Sequence, residues 1–452
     1  MSHYKPYPAY KNSGVERIGE IPEHWDVKRL RHIAHFTNSN VDKKRYDGQR
    51  TVSLCNYTDV YYNEFITPAL PFMEATASEG EIVQFALQRG DVLITKDSED
   101  PKDIGIPALV TEEMPDVICG YHLTVIRAGG LDTGRYLHRS IQSHPTKAHF
   151  FVESPGVTRY GLSQDAIGDI SVCLPPPAEQ TAIAAALDRE TARIAALIEK
   201  KTRFIELLKE KRQALITRVV TKGLDPNVKM KDSGVEWIGE VPEHWKVCRL
   251  GSLYREAVRT GDPLLPILSI SIHDGITDDE LAPEDRDRQV YQIEDRTKYK
   301  RVRPNDLAYN MMRAWQGAFG AVAVNGLVSP AYVVAEPAGE LRSTYIENLL
   351  RTPMAVEEMR RFSRGIADFR MRLYWEYFRD LHVCVPPLDE QDEILADLSR
   401  HGARMEKLGE ATERSIALLK ERRSALITAA VTGQIDLRDA SSSESESTSC
   451  VP

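Results

Sequence analysis

Apolar residues recur on a seven-residue period from Ala178 to Thr221. Leu187, Ile194, Leu208 and Leu215 stand on the period, Lys201 interrupts it once, and Ile198, Ile205 and Val219 each follow a period position by four. This spacing is that of one continuous helical stripe. The stretch has no proline or glycine across 44 residues, three prolines (Pro175 to Pro177) stand before it, and Gly223 and Pro226 follow it. These are helix start and stop signals. At 1.5 Å per residue the helix is about 66 Å long, and an apolar stripe of that length needs a partner.

The chain supplies one. A shift of 211 residues carries the stripe onto Leu398, Met405, Leu419 and Leu426 in Asp389–Thr432, with Thr412 at the place of Lys201. Between Ile205–Thr221 and Ile416–Thr432, twelve of seventeen residues are identical, LLKE and ALIT among them. The duplicate favours packing of the two helices on each other over ordinary core packing. Gly409 falls where the first helix has Ile198, so looser packing or a bend is expected there.

A second repeat lies outside the helices. SGVERIGEIPEHWDVKRL (Ser13–Leu30) and SGVEWIGEVPEHWKVCRL (Ser233–Leu250) match at fourteen of eighteen positions. Pro22 and Pro242 fix a turn before Trp25 and Trp245, and the tryptophans can hold a domain entrance by packing. No nucleophile or paired carboxylate accompanies His24 or His244, so a repeated structural corner is expected there.

Between corner and helix, residues 31–172 and 251–383 alternate short β-branched and aromatic runs with Gly, Pro and Asp. TVSLCNYTDVYY, GDVLIT, IPALVT and HLTVIRA occur in the first segment, LPILSISI, NDLAYNM, GAVAV and AYVVA in the second. Such runs predict strands. Arg89-Gly-Asp-Val-Leu parallels Pro304-Asn-Asp-Leu-Ala, but the segments otherwise diverge. Each closes on a proline-rich strand end, VCLPPPAEQ or VCVPPLDEQ. The partition is 1–177, a domain; 178–222, a helix; 223–388, a second domain; 389–433, a second helix; and 434–452, a Ser/Glu tail expected to be disordered. The linker from Gly223 to Ser233 reaches at most roughly 40 Å. It is too short to run back along the helix, so the two helices are expected to pair antiparallel about a pseudo-twofold axis. The fold class is α+β: two globular mixed α/β domains separated by two long antiparallel coiled-coil helices.

Composition narrows the function. Net charge is −9, with a pI near 5.8, which alone argues against a simple nucleic-acid binder. No apolar run approaches membrane length, the N-terminus lacks the apolar core of a signal peptide, and six scattered cysteines form no CxxC pair. Cys173 and Cys384, at equivalent repeat positions, read as small buried hydrophobes. A reduced, cytoplasmic protein without structural zinc is expected.

Basic residues are nonetheless clustered. From Arg286 to Arg313 eight Arg or Lys face four acids, with Tyr291, Tyr299 and Tyr309 interleaved; from Arg351 to Arg379 seven Arg face four acids. Lys and Arg neutralise phosphates, while Arg, Asn and Gln read base edges. The DNA-contact candidates are Lys43, Lys44, Arg45, Arg159 and Tyr160 in the first domain. In the second they are Lys298, Lys300, Arg301, Asn310, Arg313, Gln316, Arg364, Arg370 and Arg372. Two divergent domains on a rigid spacer suit a target with two features at a set separation, as DNA half-sites are.

The succession SGVEWIGEVPEHW, NDLAYNMMRAWQGAFG, VPPLDEQ and LLKERRSALITAAVTG resembles the specificity subunit of type I restriction-modification systems over nearly the whole chain, the Ser/Glu tail excepted. The resemblance implies two target recognition domains, each reading half of a bipartite double-stranded DNA site, with the helices fixing the unread spacer. It also implies two docked modification subunits that use S-adenosylmethionine to methylate adenine N6. Restriction subunits would add translocation and cleavage with ATP and Mg2+. No cofactor or metal is expected in this chain. It lacks an NPPY- or DPPY-like tetrapeptide, a Walker loop and a paired-acid-plus-lysine nuclease motif, so a non-catalytic role is expected. The alternative is an antiparallel coiled-coil scaffold whose end domains bind proteins.

Overall fold

The computed structural model describes residues 5–271, 275–277, 295–365 and 371–438. The chain divides into two compact units, residues 1–202 with 413–452, and residues 203–412. The cuts fall inside the two long helices, Pro177–Lys222 and Leu388–Val431, so each unit holds the start of one helix and the end of the other.

In the first unit, the hairpin Tyr10–Asn12/Glu20–Pro22 leads to Trp25, and Asp26–Arg29 then pairs antiparallel with Ser171–Leu174. Entrance and exit of the domain are thereby joined. Between them a five-stranded sheet runs in the order His35–Asn38, Leu123–Arg127, Val92–Thr95, Pro107–Val110, Phe65–Ile66. Val92–Thr95 is buried at all four positions, which is why it reads as an unbroken apolar run rather than an alternation. A second, four-stranded sheet carries its own core of Val52, Leu54, Phe85, Leu87 and Ile118. The aromatic run Tyr57–Tyr62, strand-like in sequence, is a helix instead. Asp59 reaches back to accept the Asn56 backbone N–H at 2.7 Å, so a local cap overrides the β-propensity.

The second unit repeats the frame. Lys246–Arg249 pairs with His382–Val385, and a four-stranded antiparallel sheet runs Tyr254–Glu256, Tyr332–Pro337, Leu307–Asn310, Phe319–Ala321. Leu307–Asn310 is interior, like Val92–Thr95 in the first unit.

The two sequence repeats, corner and PPxxEQ, are halves of one structure. Glu179, in the first turn of its helix and buried, accepts hydrogen bonds from the Trp25 indole (3.2 Å), the Tyr7 hydroxyl (2.6 Å) and the His24 ring (2.9 Å). Glu390 likewise receives the Trp245 indole (3.0 Å) and the His244 ring (2.7 Å). The neighbouring glutamines turn the other way: Gln180 donates to the Pro175 carbonyl and Gln391 to that of Pro386. Both histidines thus take the structural role expected of them.

Each core is completed by the last turn of the other long helix. Ile183, Ala184 and Leu187 share the first unit's core with Leu426, Ile427 and Val431. Val219 and Val220 share the second unit's core with Ile394, and Leu215, Leu395 and Leu398 pack against it. A buried tyrosine seals each junction. The Tyr136 hydroxyl lies within hydrogen-bond distance of the Cys173 and Val431 carbonyls, and the Tyr345 hydroxyl of those of Val220 and Cys384. Both helices end on a left-handed glycine, Gly223 (φ +76°) and Gly433 (φ +72°), the usual residue at that position. At Gly433 any side chain would meet Pro22 Cδ at 2.2 Å, so the helix end lies directly on the corner.

Of the remaining stripe residues, Ile194 and Thr412 are buried, and Lys201, Leu208, Met405 and Leu419 are half-buried. The Thr412 hydroxyl donates to the Leu408 carbonyl of its own helix (2.7 Å), which is how a polar residue tolerates that position. The second helix runs unbroken through Gly409, with open space around it. Gln434–Arg438, assigned by sequence to the tail, belongs to the fold. Ile435 and Leu437 are buried, and Asp436 bridges to Lys5. The Ser/Glu segment itself lies outside the described residues.

A charged cluster holds the first unit together. Arg139 is 1% exposed and donates to Glu64, Asp188 (2.7 Å) and Thr191 (3.0 Å), while Arg423 from the second long helix reaches Glu64 at 2.6 Å. Burial pushes the Glu64 pKa up. The adjoining Arg139 and Arg423 guanidiniums outweigh that and hold it below the ordinary 4.5. Among the described residues, no acid, His or Cys cluster could hold a metal ion and no helix could cross a membrane.

Two outcomes follow from these contacts. Glu179→Ala strands a buried indole N–H and a buried hydroxyl, and urea unfolding should show a loss of about 3 kcal/mol or more. A loss under about 1 kcal/mol would contradict the role given to this carboxylate. Glu64 has a lowered folded pKa, so its stabilisation is complete above the unfolded value and lost as pH falls through the folded one. Stability should therefore drop as the pH falls below the ordinary glutamate value of 4.5, and Glu64→Gln should flatten part of that drop.

Candidate nucleic-acid interface

The divergent parts of the two domains, loops and in the first domain the second sheet, are mounted on this shared frame. In each domain one interior strand of the main sheet ends at such a loop, Val92–Thr95 in the first and Leu307–Asn310 in the second. A second loop, just before the last short helix, is pinned to it by the same bond. Leu162 N–H donates to the Lys96 carbonyl at 2.8 Å, and Leu373 N–H donates to the Met311 carbonyl at 2.9 Å. Lys96 and Met311 are therefore structural equivalents, as are Asp97 and Met312.

In the second domain this pairing gathers several of the sequence candidates. Asn310 ends the strand, with its Oδ1 accepting from Met312 N–H (3.0 Å), and among the described residues its amide NH2 has no acceptor. Arg313 is half-buried and Gln316 exposed on the turn that follows. Gly317 closes that turn at φ +89°, a left-handed conformation that a side chain would strain. Arg364 and Arg372 form the stem of the second loop through paired backbone hydrogen bonds, both 2.9 Å. Arg364 lies over the Tyr377 ring at 4.9 Å, and Arg360 over Trp315 at 5.6 Å. Arg370 lies outside the described residues, as do Arg286, Arg288 and Tyr291.

Lys298, Lys300 and Arg301 stand apart from this gathering. They lie on the short strand Lys300–Val302 and the turn before it. Lys300 donates to the Tyr332 carbonyl (2.7 Å), and Arg301 has a buried Nε. Lys298 is exposed.

The first domain also divides. Lys43, Lys44 and Arg45 are exposed in a turn near the second sheet, where Arg45 pairs with Glu74 at 2.6 Å and Asp42 accepts the Lys44 backbone N–H. Arg159 and Tyr160 lie instead in the pinned loop, beside four residues that the sequence reading passed over. Asp97 Oδ2 receives Lys96 Nζ (3.1 Å) and His122 Nδ1 (2.8 Å), and Lys96 also stands 4.7 Å over the Tyr121 ring. Burial works to raise the Asp97 pKa, but the bonds from His122 and Lys96 outweigh it, so the carboxyl titrates below its usual range. An ionised carboxylate can only accept, so the His122 proton sits on Nδ1. Arg159 Nη2 lies 3.1 Å from that same nitrogen and finds no acceptor there. Its guanidinium is exposed and, among the described residues, faces no carboxylate at ion-pair distance.

The parallel between Arg89-Gly-Asp-Val-Leu and Pro304-Asn-Asp-Leu-Ala, continued along the strand, aligns Lys96 with Met311 and was the signal for this cluster. His122 and Tyr121 carried none, because a distant strand brings them in.

No protein-family model matches the chain. It is 24% identical over 247 residues to a Methanocaldococcus jannaschii protein assigned by name as the MjaX type I restriction enzyme specificity subunit. The match covers 54% of this chain and 56% of that protein, so the chain spans about half the length of that relative. The HsdS subunit from Thermoanaerobacter tengcongensis shares the fold, with a TM-score of 0.51, 17% identity, and coverage of 92% of this chain and 98% of that one. So does a chain from a structure of complex assembly and conformational transition in a type I R-M system, with a TM-score of 0.63, 16% identity, and coverage of 91% and 98%. In sequence and fold the chain is similar to type I specificity subunits.

Proposed function

We propose that this chain is the DNA-reading specificity subunit of a type I restriction-modification complex. Each domain reads one half of a bipartite site and the two long helices set the unread spacing. The observation that carries this reading is the pair of loops pinned by one shared hydrogen bond on a repeated frame, with different chemistry on each. The first domain presents Lys96, Asp97, His122 and Arg159 there; the second presents Asn310, Arg313, Gln316 and Arg364. A constant frame with divergent loops suits two unlike sequences held in one geometry. An acidic chain is compatible with this role, because loop fields are local.

The helices offer matching outer surfaces to partners. Leu197 and Leu408 occupy equivalent positions and are 40% and 43% exposed; Leu207 and Leu418, again equivalent, are 46% and 63% exposed. Repeated apolar positions left in solvent support two equivalent docking sites, and hence two modification subunits. Those partners would bring S-adenosylmethionine and adenine-N6 methylation, and restriction subunits would bring ATP and Mg2+. This chain contributes recognition and spacing.

The test is to lengthen both helices by one heptad at the 202/203 and 412/413 junctions and read the site recognised by the assembled complex. Seven residues add about 10.5 Å, so the spacer should grow by about three base pairs, with both half-sites unchanged. Altered half-sites, or an unaltered spacer, would contradict the proposal.

A further inference from the structure

The geometry points to a reading centre in the first domain: Asp97, set by Lys96 and His122, and Arg159 beside it recognise one C·G base pair. Asp97 accepts from the cytosine N4 amine and Arg159 donates to guanine. This inference rests on the proposed DNA-reading role and sharpens it.

Asp97 Oδ2 is occupied by Lys96 and His122, whereas Oδ1 has no hydrogen-bond partner among the described residues and stands over Gly161. Gly161 lies beside that oxygen, and a Cβ there would sit 3.4 Å from it, in ordinary contact. Arg159 and Asp97 both reach the same nitrogen of His122, at 3.1 and 2.8 Å. A free acceptor and a free donor fork therefore sit side by side at the end of an interior strand.

That pairing has a specific complement. In the major groove a C·G pair offers an amine donor on one base and two acceptors on the other; carboxylates accept from cytosine N4, and arginine binds guanine O6 and N7. A carboxylate held near phosphates repels them, so its place at such a surface weakens binding unless a base amine meets it. Lys96 and His122 offset that repulsion and fix the carboxylate's orientation, which makes them positioning residues. The equivalent position in the second domain is Met312, which has no charge. The two domains therefore differ in base chemistry at one and the same structural place. The Lys43–Arg45 run, with Glu74 on Arg45, serves at most as a sequence-blind phosphate contact.

The test is selection of binding sites from a randomised duplex pool by the full-length chain in its native assembly, wild type against Asp97→Asn. The wild type should select a bipartite site with a C·G pair in one half. Asp97→Asn, nearly isosteric, should lower discrimination at that single pair by roughly ten- to a hundredfold, with the rest of that half, the other half and the spacing retained. Arg159→Ala, in an exposed loop, should relax the same position, which keeps the test decisive if Asp97→Asn folds poorly. Lys43→Ala with Lys44→Ala should weaken all sequences alike. Unchanged preference in both the Asp97 and Arg159 variants, or a uniform loss across sequences, would overturn the inference and leave the DNA-reading role intact. A wild-type assembly that selects no sequence would overturn both.

Discussion

One carboxylate in the first turn of each long helix holds the architecture together. Glu179 and Glu390 each take the indole proton of a fully buried tryptophan and the ring of the preceding histidine. Hydrogen bonds to a charged acceptor contribute about 1.5–3 kcal/mol each, and stranding the buried indole donors costs at least as much. Helix direction is thereby locked to the domain entrance. The neighbouring glutamine ties the same turn to the strand end, so entrance, exit and helix form one joint. The joint occurs twice because the sequence carries its parts twice.

The joints constrain everything built on them. Tyr136 and Tyr345 attach the end of the opposite helix to the same place in each unit, so neither unit is complete without residues from both helices. What the joints leave free is the loop chemistry, and there the two domains have diverged. Loop chemistry can change without disturbing the frame, since exposed loop substitutions typically alter stability by no more than about 0.5 kcal/mol.

Much of this was legible in the sequence. Regular period and duplication gave the helices and the corners, because these depend on local spacing. The meeting of EHW with PPxxEQ was not legible. His24 and Glu179 are 155 residues apart, and nothing in either motif names the other. The candidate interface was partly legible. Lys43–Arg45 stood out as a run, yet runs show charge without showing its neutralisation, and Glu74 lies on a strand far along the chain. Lys96, Asp97 and His122 are unremarkable in sequence and acquire chemistry only when the sheet assembles them. Gln434–Arg438 read as tail because the segment is short and borders Ser/Glu repeats, but Ile435 and Leu437 are enough to hold it in the core.

The central claim is that one chain reads two unlike half-sites at a fixed separation. The most direct measurement is a genome-wide map of methylated adenines in the source organism with and without this chain's coding sequence. The account predicts that a single bipartite motif of two different halves and constant spacing disappears on deletion. A methylation map that does not change, or the loss of a continuous unspaced motif, would contradict it.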